Sequence, residues 1–301
     1  VHTILFFIAL VANCGGLLTP LGDPPLFMLY LRGVPFTWFL QLFPEWLFVG
    51  TVLLMLYFAV DTFYYKREHS QAKEMDRLEH RALELSGKIN FLYLVGVVVA
   101  VALVNESYIP AMAKADASIW MVHLRDIVLL VLTGLSLLTT SKEIRYEKNK
   151  FSWMPITEVA ILFLGIFVTM TPVLEYLRVH AASLGLNEIW QFYYTTGTLS
   201  SFLDNTPTAV AFHSVALGLP AEQLASYGGE IVAGVPSMLL RAISLGSVMF
   251  GAMTYIGNGP NFMVKAIAER RGIKMPSFFG YMIFSLGVLL PVYMLVQLIF
   301  L

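Results

Sequence analysis

The sequence predicts an all-α polytopic membrane protein, built from inverted-topology repeats with a re-entrant hairpin and broken helices. Three observations lead to this prediction: an excess of apolar residues, basic residues confined to a few segments, and one helix-breaking motif that occurs twice. Of the 301 residues, 57% are hydrophobic and 13% are charged, compared with about 45–50% and about 25% in soluble domains. A soluble chain of this length cannot bury that much apolar surface in one core, so a lipid bilayer is an expected partner.

Apolar segments long enough to cross a bilayer, which takes about 20 residues, recur along the chain. They lie at residues 2–21, 37–64, 89–105, 119–140, 154–177, 236–256 and 278–301. A further apolar segment, 189–219, is interrupted at its centre by the polar sequence DNTPT at 204–208. This pattern predicts a multi-pass protein of the cytoplasmic (inner) membrane.

The distribution of basic residues predicts the orientation of these spans. Most of the 19 Lys and Arg residues lie in three segments between spans, at 66–88, 142–150 and 265–274. The positive-inside rule places all three in the cytoplasm. Between the second and the third, the spans 154–177 and 236–256 already supply two crossings. The segment 189–219 should therefore enter and leave on the same outer side as a re-entrant hairpin, which Pro207 and the polar tip favour.

A short motif occurs twice, 235 residues apart. Residues 16–28 read GLLTPLGDPPLFM and residues 251–263 read GAMTYIGNGPNFM, so Gly, Thr, Asp or Asn, and Pro recur in register. With four predicted crossings between the copies, they run antiparallel across the membrane. Such inverted-topology repeats with Gly- and Pro-interrupted helices are typical of secondary transporters, and the interruptions mark their binding sites.

The repeat predicts the organisation of the chain. We expect residues 1–65 to be the remainder of a first repeat (a broken helix at 1–34 and the following span), 66–88 a cytoplasmic loop, 89–152 scaffold spans, and 153–301 a second repeat with the hairpin 189–219 and a broken helix at 236–272. The symmetry also predicts a first hairpin upstream of Val1, and hence an N-terminally truncated chain.

The interruptions provide the candidate ion- or substrate-binding residues. A helix broken inside a membrane leaves backbone groups unpaired; its free carbonyls and nearby side-chain oxygens suit Na⁺, and its free N–H groups suit an anion. The candidates are Thr19, Gly22, Asp23 and Pro24 in the first copy, Asp204, Asn205, Thr206, Pro207 and Thr208 at the hairpin tip, and Thr254, Gly257, Asn258, Gly259, Pro260 and Asn261 in the second copy. Within this set a Na⁺ site is expected at Asp204, Asn205 and Asn258.

Simpler interpretations stay open for several of these residues. DNTPT could be an exposed turn, because Asp, Asn and Pro favour turns, and the residues 19–25 could be a loop at the end of the first span. His213 either lines the pathway or fills the core, and Arg241 is expected to be an interfacial anchor.

The same segments carry a family resemblance. FYYTTGTLSSFLDNTPTAVAF at 192–212, LTPLGDPP at 18–25 and TYIGNGPNFM at 254–263 resemble the ion transporter superfamily, and most closely its NhaD-type sodium/proton antiporter and citrate-transport branch. The resemblance covers most of residues 1–28 and 154–301, and the middle spans match only in general character. It implies a fold with two re-entrant hairpins and two unwound helices, often in a homodimer. The chain departs from the family in lacking the first hairpin, and it lacks the paired Ser-Asn-Thr signatures of dicarboxylate symporters.

Two functions are favoured by these observations, ahead of an arsenite or other oxyanion permease and of a non-transporting membrane sensor or assembly subunit. The first is sodium/proton antiport, in which Asp23 and Asp204 bind either protons or Na⁺. The alternative is a sodium-coupled citrate or carboxylate carrier that moves a small organic anion, although no intramembrane Arg or Lys obviously accompanies the broken helices. An enzyme is not expected, since the sequence has no nucleophile elbow, metal-ligand cluster or phosphate loop. No cofactor is expected beyond the transported Na⁺ and H⁺, and a net charge of −1 gives no reason to expect nucleic acid binding.

Overall fold

The computed structural model describes residues 1–68, 85–106, 108–114 and 116–301. Most of the predicted loop 66–88 lies outside these residues. The chain divides into two compact units, one formed by residues 1–68 with 165–301 and the other by residues 69–164. The described residues are mainly helical, and they include a single two-stranded sheet.

The helices of the first part of the chain are α1 (His2–Leu10), α2 (Pro24–Leu31), α3 (Phe36–Phe39), α4 (Phe43–Lys66), α5 (Ile89–Leu103), α6 (Ile119–Val122) and α7 (Leu124–Thr139). Those of the second part are α8 (Met154–Val179), α9 (Ile189–Ser200), α10 (Asn205–Leu217), α11 (Ala221–Ser226), α12 (Ser237–Phe250), α13 (Gly259–Arg270), α14 (Phe278–Phe284) and α15 (Leu290–Phe300). The strands β1 (Ile231–Val232) and β2 (Val235–Pro236) pair antiparallel.

Two helical segments among the described residues are long and apolar enough to cross a membrane by length and composition. They are Phe36–Lys66, which runs through α3 and α4, and Phe278–Phe300, which runs through α14 and α15. Both correspond to spans predicted from the sequence. The predicted span 154–177 lies within α8, a helix of 26 residues with Pro172 in its interior.

Both copies of the repeated motif interrupt a helix. In the first copy, α1 is followed by a 3₁₀ turn at Cys14–Gly16 and an irregular stretch before α2 begins. In the second, α12 is followed by a 3₁₀ turn at Gly251–Met253 before α13 begins. The interruptions lie where Gly and Pro, which disfavour helix interiors, are concentrated.

The two interruptions also share their backbone geometry. Asp23 caps α2 with φ −148° and ψ 139°, and Asn258 caps α13 with φ −149° and ψ 137°. Proline occupies the first turn of each helix, where its missing N–H has no partner to lose. Equivalent sequence positions therefore have equivalent conformations. The antiparallel orientation of the copies stays a prediction.

A close backbone approach is repeated in the same way. A Cβ placed on Gly22 would lie 2.4 Å from the carbonyl oxygen of Gly16, and a Cβ on Gly257 would lie 2.7 Å from that of Gly251. Only glycine permits such an approach. Gly22 and Gly257 are therefore required by packing between the two ends of each interruption.

The segment 189–219 forms a helical hairpin of α9 and α10. Its two ends lie together, because Gln223 Nε2 donates to the carbonyl of Leu186 (2.7 Å) and Tyr227 Oη donates to the carbonyl of Asn187 (2.9 Å). The arms contain 12 and 13 residues, or roughly 20 Å each at about 1.5 Å per residue, which is shorter than a hydrocarbon core of about 30 Å. This geometry suits re-entrance, although the position of the hairpin in a membrane stays a prediction.

Cysteine labelling tests that prediction. In a Cys14→Ala background, cysteines at positions 188 and 220, both exposed, should react with an impermeant reagent added from outside. A cysteine at position 209, where Ala209 is buried in α10, is the matched unreactive control. Labelling from outside at only one of the two ends would mean that the segment crosses the membrane.

The hairpin packs closely on the second broken helix. A Cβ on Gly246 of α12 would lie 2.6 Å from the carbonyl oxygen of Tyr193 in α9, and a Cβ on Gly197 of α9 would meet the ring of Phe250. Small residues at both positions let the backbones approach, as is common between membrane helices. The hairpin tip is thereby held against the interruption that follows α12.

An ion pair attaches α4 to the same helix. Arg241 Nη1 lies 2.8 Å from Oε1 of Glu45, whose side chain is fully buried. Arg241 Nη2 also donates to the carbonyl of Gln41 (3.2 Å). Arg241, expected from the sequence to be an interfacial anchor, therefore has a specific partner on another helix.

The second unit contains α5, α6 and α7. Asn90 near the start of α5 accepts hydrogen bonds through Oδ1 from Ser136 (2.8 Å) and Thr140 (3.0 Å) at the end of α7. Farther along α5, Gly96 lies against Leu132 of α7.

Candidate ion-binding site

The hairpin tip is organised by the cap of α10. The carboxylate of Asp204 accepts a hydrogen bond from the backbone N–H of Thr206 (2.9 Å), and the Thr208 hydroxyl donates to the Asp204 carbonyl (2.9 Å). An aspartate in this position satisfies one of the free N–H groups at the helix start. The Asp204 side chain is only partly buried, and its described hydrogen bond lies within the hairpin itself.

Asp23 is the carboxylate at the centre of the site. It is 4% exposed, and its Oδ2 accepts a hydrogen bond from Nδ2 of Asn205 (3.0 Å). Asp23 caps α2 and Asn205 is the first residue of α10. The amino ends of two helices therefore meet at one buried carboxylate, where their dipoles favour negative charge.

Three asparagines join the two interruptions. Asn258 Nδ2 donates to Oδ1 of Asn13 (3.0 Å), and Asn13 Nδ2 donates to Oδ1 of Asn261 (2.7 Å) and to the carbonyl of Ile8 (2.8 Å). All three side chains are buried. Atoms of Asn13, Asn205 and Asn258 all lie within 4 Å of where a Cβ of Gly251 would be, so the amide network lies beside Asn205, the partner of the central carboxylate.

The hairpin is attached to the second interruption through Thr254. Its hydroxyl donates to the carbonyl of Ser201 in the hairpin turn and accepts the N–H of Gly257 (3.1 Å). Asn261 Nδ2 donates to the carbonyls of Thr254 (2.9 Å) and Gly251 (2.7 Å). These bonds satisfy carbonyl groups that the broken helix leaves without partners.

The structure brings together part of the predicted set. Asp23, Asn205, Thr254, Gly257, Asn258 and Asn261 lie in or beside the buried centre, and Thr206 and Thr208 are buried in the first turns of α10. The other predicted residues are less enclosed: Thr19, Asp204 and Pro207 are partly exposed, and Gly22, Pro24, Gly259 and Pro260 are exposed.

The two copies differ in burial for a structural reason. The second interruption lies under the hairpin turn, with the Ser200 and Ser201 carbonyl oxygens within 3 Å of where a Cβ of Gly257 would be. Among the described residues no hairpin covers Thr19 and Gly22 in this way. The simpler interpretation of DNTPT as an exposed turn does not hold for Asn205, Thr206 and Thr208, because these side chains are buried.

Asn13 and Ser201 are the residues that the sequence alone did not single out. Both lie outside the repeated motif, and the residue equivalent to Asn13 in the second copy is Val248. The sequence feature that could have identified Asn13 is that it is an isolated asparagine in an apolar stretch, three residues before the motif. Its partners Asn258 and Asn261 are more than 240 residues away.

The chemistry of this centre suits a proton or a monovalent cation. It combines one buried carboxylate, amide oxygens and backbone carbonyls, which are the hard oxygen ligands that Na⁺ prefers. No salt bridge to Asp23 occurs within the described ranges. The same residues contain no group of three or more His, Cys, Asp or Glu that could hold a metal ion.

Comparison with known proteins places the chain in a family. A family model described as "Putative citrate transport" matches residues 1–301. No curated protein and no solved structure gave a match. The family match agrees with the branch that the motifs resemble, and with the helical fold and its apolar segments. The chain therefore belongs to this citrate-transport family and is, by that membership, a transporter.

Proposed function

We propose that the chain forms the ion-binding part of a sodium/proton antiporter of the cytoplasmic membrane, with Asp23 as the group that alternately binds H⁺ and Na⁺. The observation that carries the proposal is the buried Asp23 carboxylate, held by Asn205 at the meeting point of two helix amino ends. The inverted repeat, the re-entrance of the hairpin and a homodimeric assembly belong to the same proposal.

The coupling follows from the cost of a buried charge. A carboxylate inside a membrane protein is unfavourable unless a proton or a cation neutralises it. H⁺ and Na⁺ compete for the same oxygens, so binding of one releases the other. Because the Asp204 carboxylate caps α10, this mechanism requires only Asp23, in place of the two carboxylates expected from the sequence.

A cation-coupled carrier of citrate or another carboxylate is the second candidate. It is supported by the family description and by the two helix amino ends at the centre, which suit a substrate carboxylate as well as they suit Asp23. In this case Na⁺ or H⁺ at Asp23 would accompany the anion.

Transport by everted membrane vesicles separates the two candidates. With an imposed proton gradient and no citrate, Na⁺ should collapse the gradient in vesicles that carry the protein and not in vesicles that lack it. If Na⁺ has no effect while uptake of labelled citrate depends on Na⁺, antiport is wrong and the carboxylate carrier replaces it. Failure of both assays would reject cation coupling at this centre.

A further inference from the structure

The helices α2 and α10 contact each other at both ends. At their amino ends, Asp23 accepts the hydrogen bond from Asn205. Toward their carboxyl ends, Arg32 contacts Ser214 and His213. Arg32 follows Asp23, and Ser214 follows Asn205, by the same nine residues. The second contact is thus displaced by roughly 13 Å along the helix pair at about 1.5 Å per residue.

Arg32 is the cationic group of this second contact. Its Nη1 donates to the Ser214 hydroxyl (2.8 Å) and lies 3.4 Å from Nδ1 of His213. The guanidinium is partly buried, whereas Ser214 and His213 are almost fully buried. Within the described part of the chain no carboxylate pairs with Arg32.

We propose that Arg32, Ser214 and His213 form an anion-binding site that takes one carboxylate group of a transported organic acid. A partly buried guanidinium is costly in a membrane protein unless an anion neutralises it. Its planar fork has five N–H donors and binds a carboxylate through two parallel hydrogen bonds. The inference rests on the second candidate function, the cation-coupled carboxylate carrier, and identifies the residues that would hold the anion, with cation and anion at opposite ends of α2 and α10.

The second copy of the motif supplies a natural comparison. Arg271 ends α13 with φ −89° and ψ 10°, just as Arg32 ends α2 with φ −89° and ψ 9°, and a glycine of positive φ follows each. Arg271 is exposed. Termination of the helix therefore explains an arginine at both positions, but it does not explain why the side chain of Arg32 is directed onto buried polar groups of α10.

Citrate binding to the purified protein in lipid nanodiscs tests the site. At a fixed Na⁺ concentration, Arg32→Gln should weaken binding of labelled citrate by at least about 30-fold, the usual effect of removing one partner of a partly buried charge pair. Arg271→Gln, the matched control, should leave citrate affinity within about twofold of wild type. Binding of ²²Na⁺ should survive Arg32→Gln, because the Asp23 centre is unchanged.

A footprinting measurement on the wild-type protein covers the case in which Arg32→Gln does not fold. Citrate should slow the modification of Arg32 by phenylglyoxal, whereas NaCl of equal ionic strength should not, and the modification of Arg271 should be unaffected by either. Unchanged citrate binding in Arg32→Gln, or no citrate protection of Arg32, would overturn the inference. Arg32 would then serve only to hold α2 and α10 together through its hydrogen bond to Ser214. If the wild-type protein does not bind ²²Na⁺, the cation site at Asp23 is rejected, and with it the proposed function.

Discussion

Replacing Asp23 with asparagine should abolish Na⁺-dependent dissipation of a proton gradient in everted vesicles while leaving the protein folded. Asparagine keeps an oxygen that can accept the hydrogen bond from Asn205, so the packing between α2 and α10 is retained. The variant removes the buried negative charge, and we expect Na⁺ to bind about 100-fold more weakly, since a hydrogen bond or contact to a charged group contributes about 1.5–3 kcal/mol. Proton binding at this position is lost altogether.

Asp204→Asn is the matched control for this prediction. The Asp204 carboxylate accepts the Thr206 N–H, and asparagine caps a helix about as well as aspartate does. This variant should fold and should continue to exchange Na⁺ for H⁺. If Asp204→Asn were inactive and Asp23→Asn active, the carboxylate assigned to the ion would be the wrong one. Loss of activity in both variants would indicate that the two carboxylates act together.

The repeat offers a rescue experiment. Asn258 caps α13 with nearly the same φ and ψ as Asp23 in α2, and it lies near Asn205, the hydrogen-bond partner of Asp23, because both border the same position at Gly251. Asn258→Asp in the Asp23→Asn background should therefore return a carboxylate to the centre and restore part of the exchange. If the double variant folds but does not exchange Na⁺ for H⁺, then the exact position of the carboxylate is critical as well as its presence.

Gly257→Ala should have the largest effect on stability and should also abolish transport. The new Cβ would lie 2.7 Å from the Gly251 carbonyl oxygen, 2.8 Å from that of Ser200 and 2.9 Å from that of Ser201. All three atoms belong to the backbone, so either the hairpin turn or the interrupted helix has to move. We expect a loss of about 1–3 kcal/mol, as for overpacking elsewhere in protein cores, measured as a lower midpoint of thermal unfolding in detergent.

Gly259→Ala provides the control two residues away. Nothing lies within 4 Å of a Cβ placed on Gly259, which is exposed at the start of α13. Alanine is the better helix former, so the midpoint of unfolding should stay the same or rise slightly. If both substitutions lower the midpoint of unfolding equally, close packing at Gly257 does not explain the destabilisation. The region would instead need glycine for its backbone flexibility.

The positions of the interruptions and of the hairpin tip could be predicted from the sequence because they are local features. Gly, Pro, Asp and Asn end or start helices through their own backbone preferences. The segments PLGDPP at 20–25 and GNGP at 257–260 therefore indicate a break without knowledge of the surroundings. The caps of α2, α10 and α13 at Asp23, Asp204 and Asn258 follow from these preferences. Composition likewise predicts the helical class and the apolar segments.

Only the tertiary structure distinguished the two carboxylates. Asp23 and Asp204 look equivalent in the sequence, since each precedes a proline-containing first helical turn. The fold buries Asp23 between α2, α10 and the second interruption, and leaves Asp204 partly exposed with its side chain on Thr206. Burial depends on which helices pack together. The hydrogen bond that distinguishes Asp23 comes from Asn205, which lies 182 positions away in the sequence.

The same long-range packing determined the roles of Asn13 and Arg32. Asn13 has no motif around it, and its importance comes from partners in the second copy. Arg32 looks like an ordinary basic residue at a helix end, the same as Arg271, until α10 is placed beside α2. Local backbone preferences thus determined where the helices break, whereas contacts between distant segments decided which polar groups meet there.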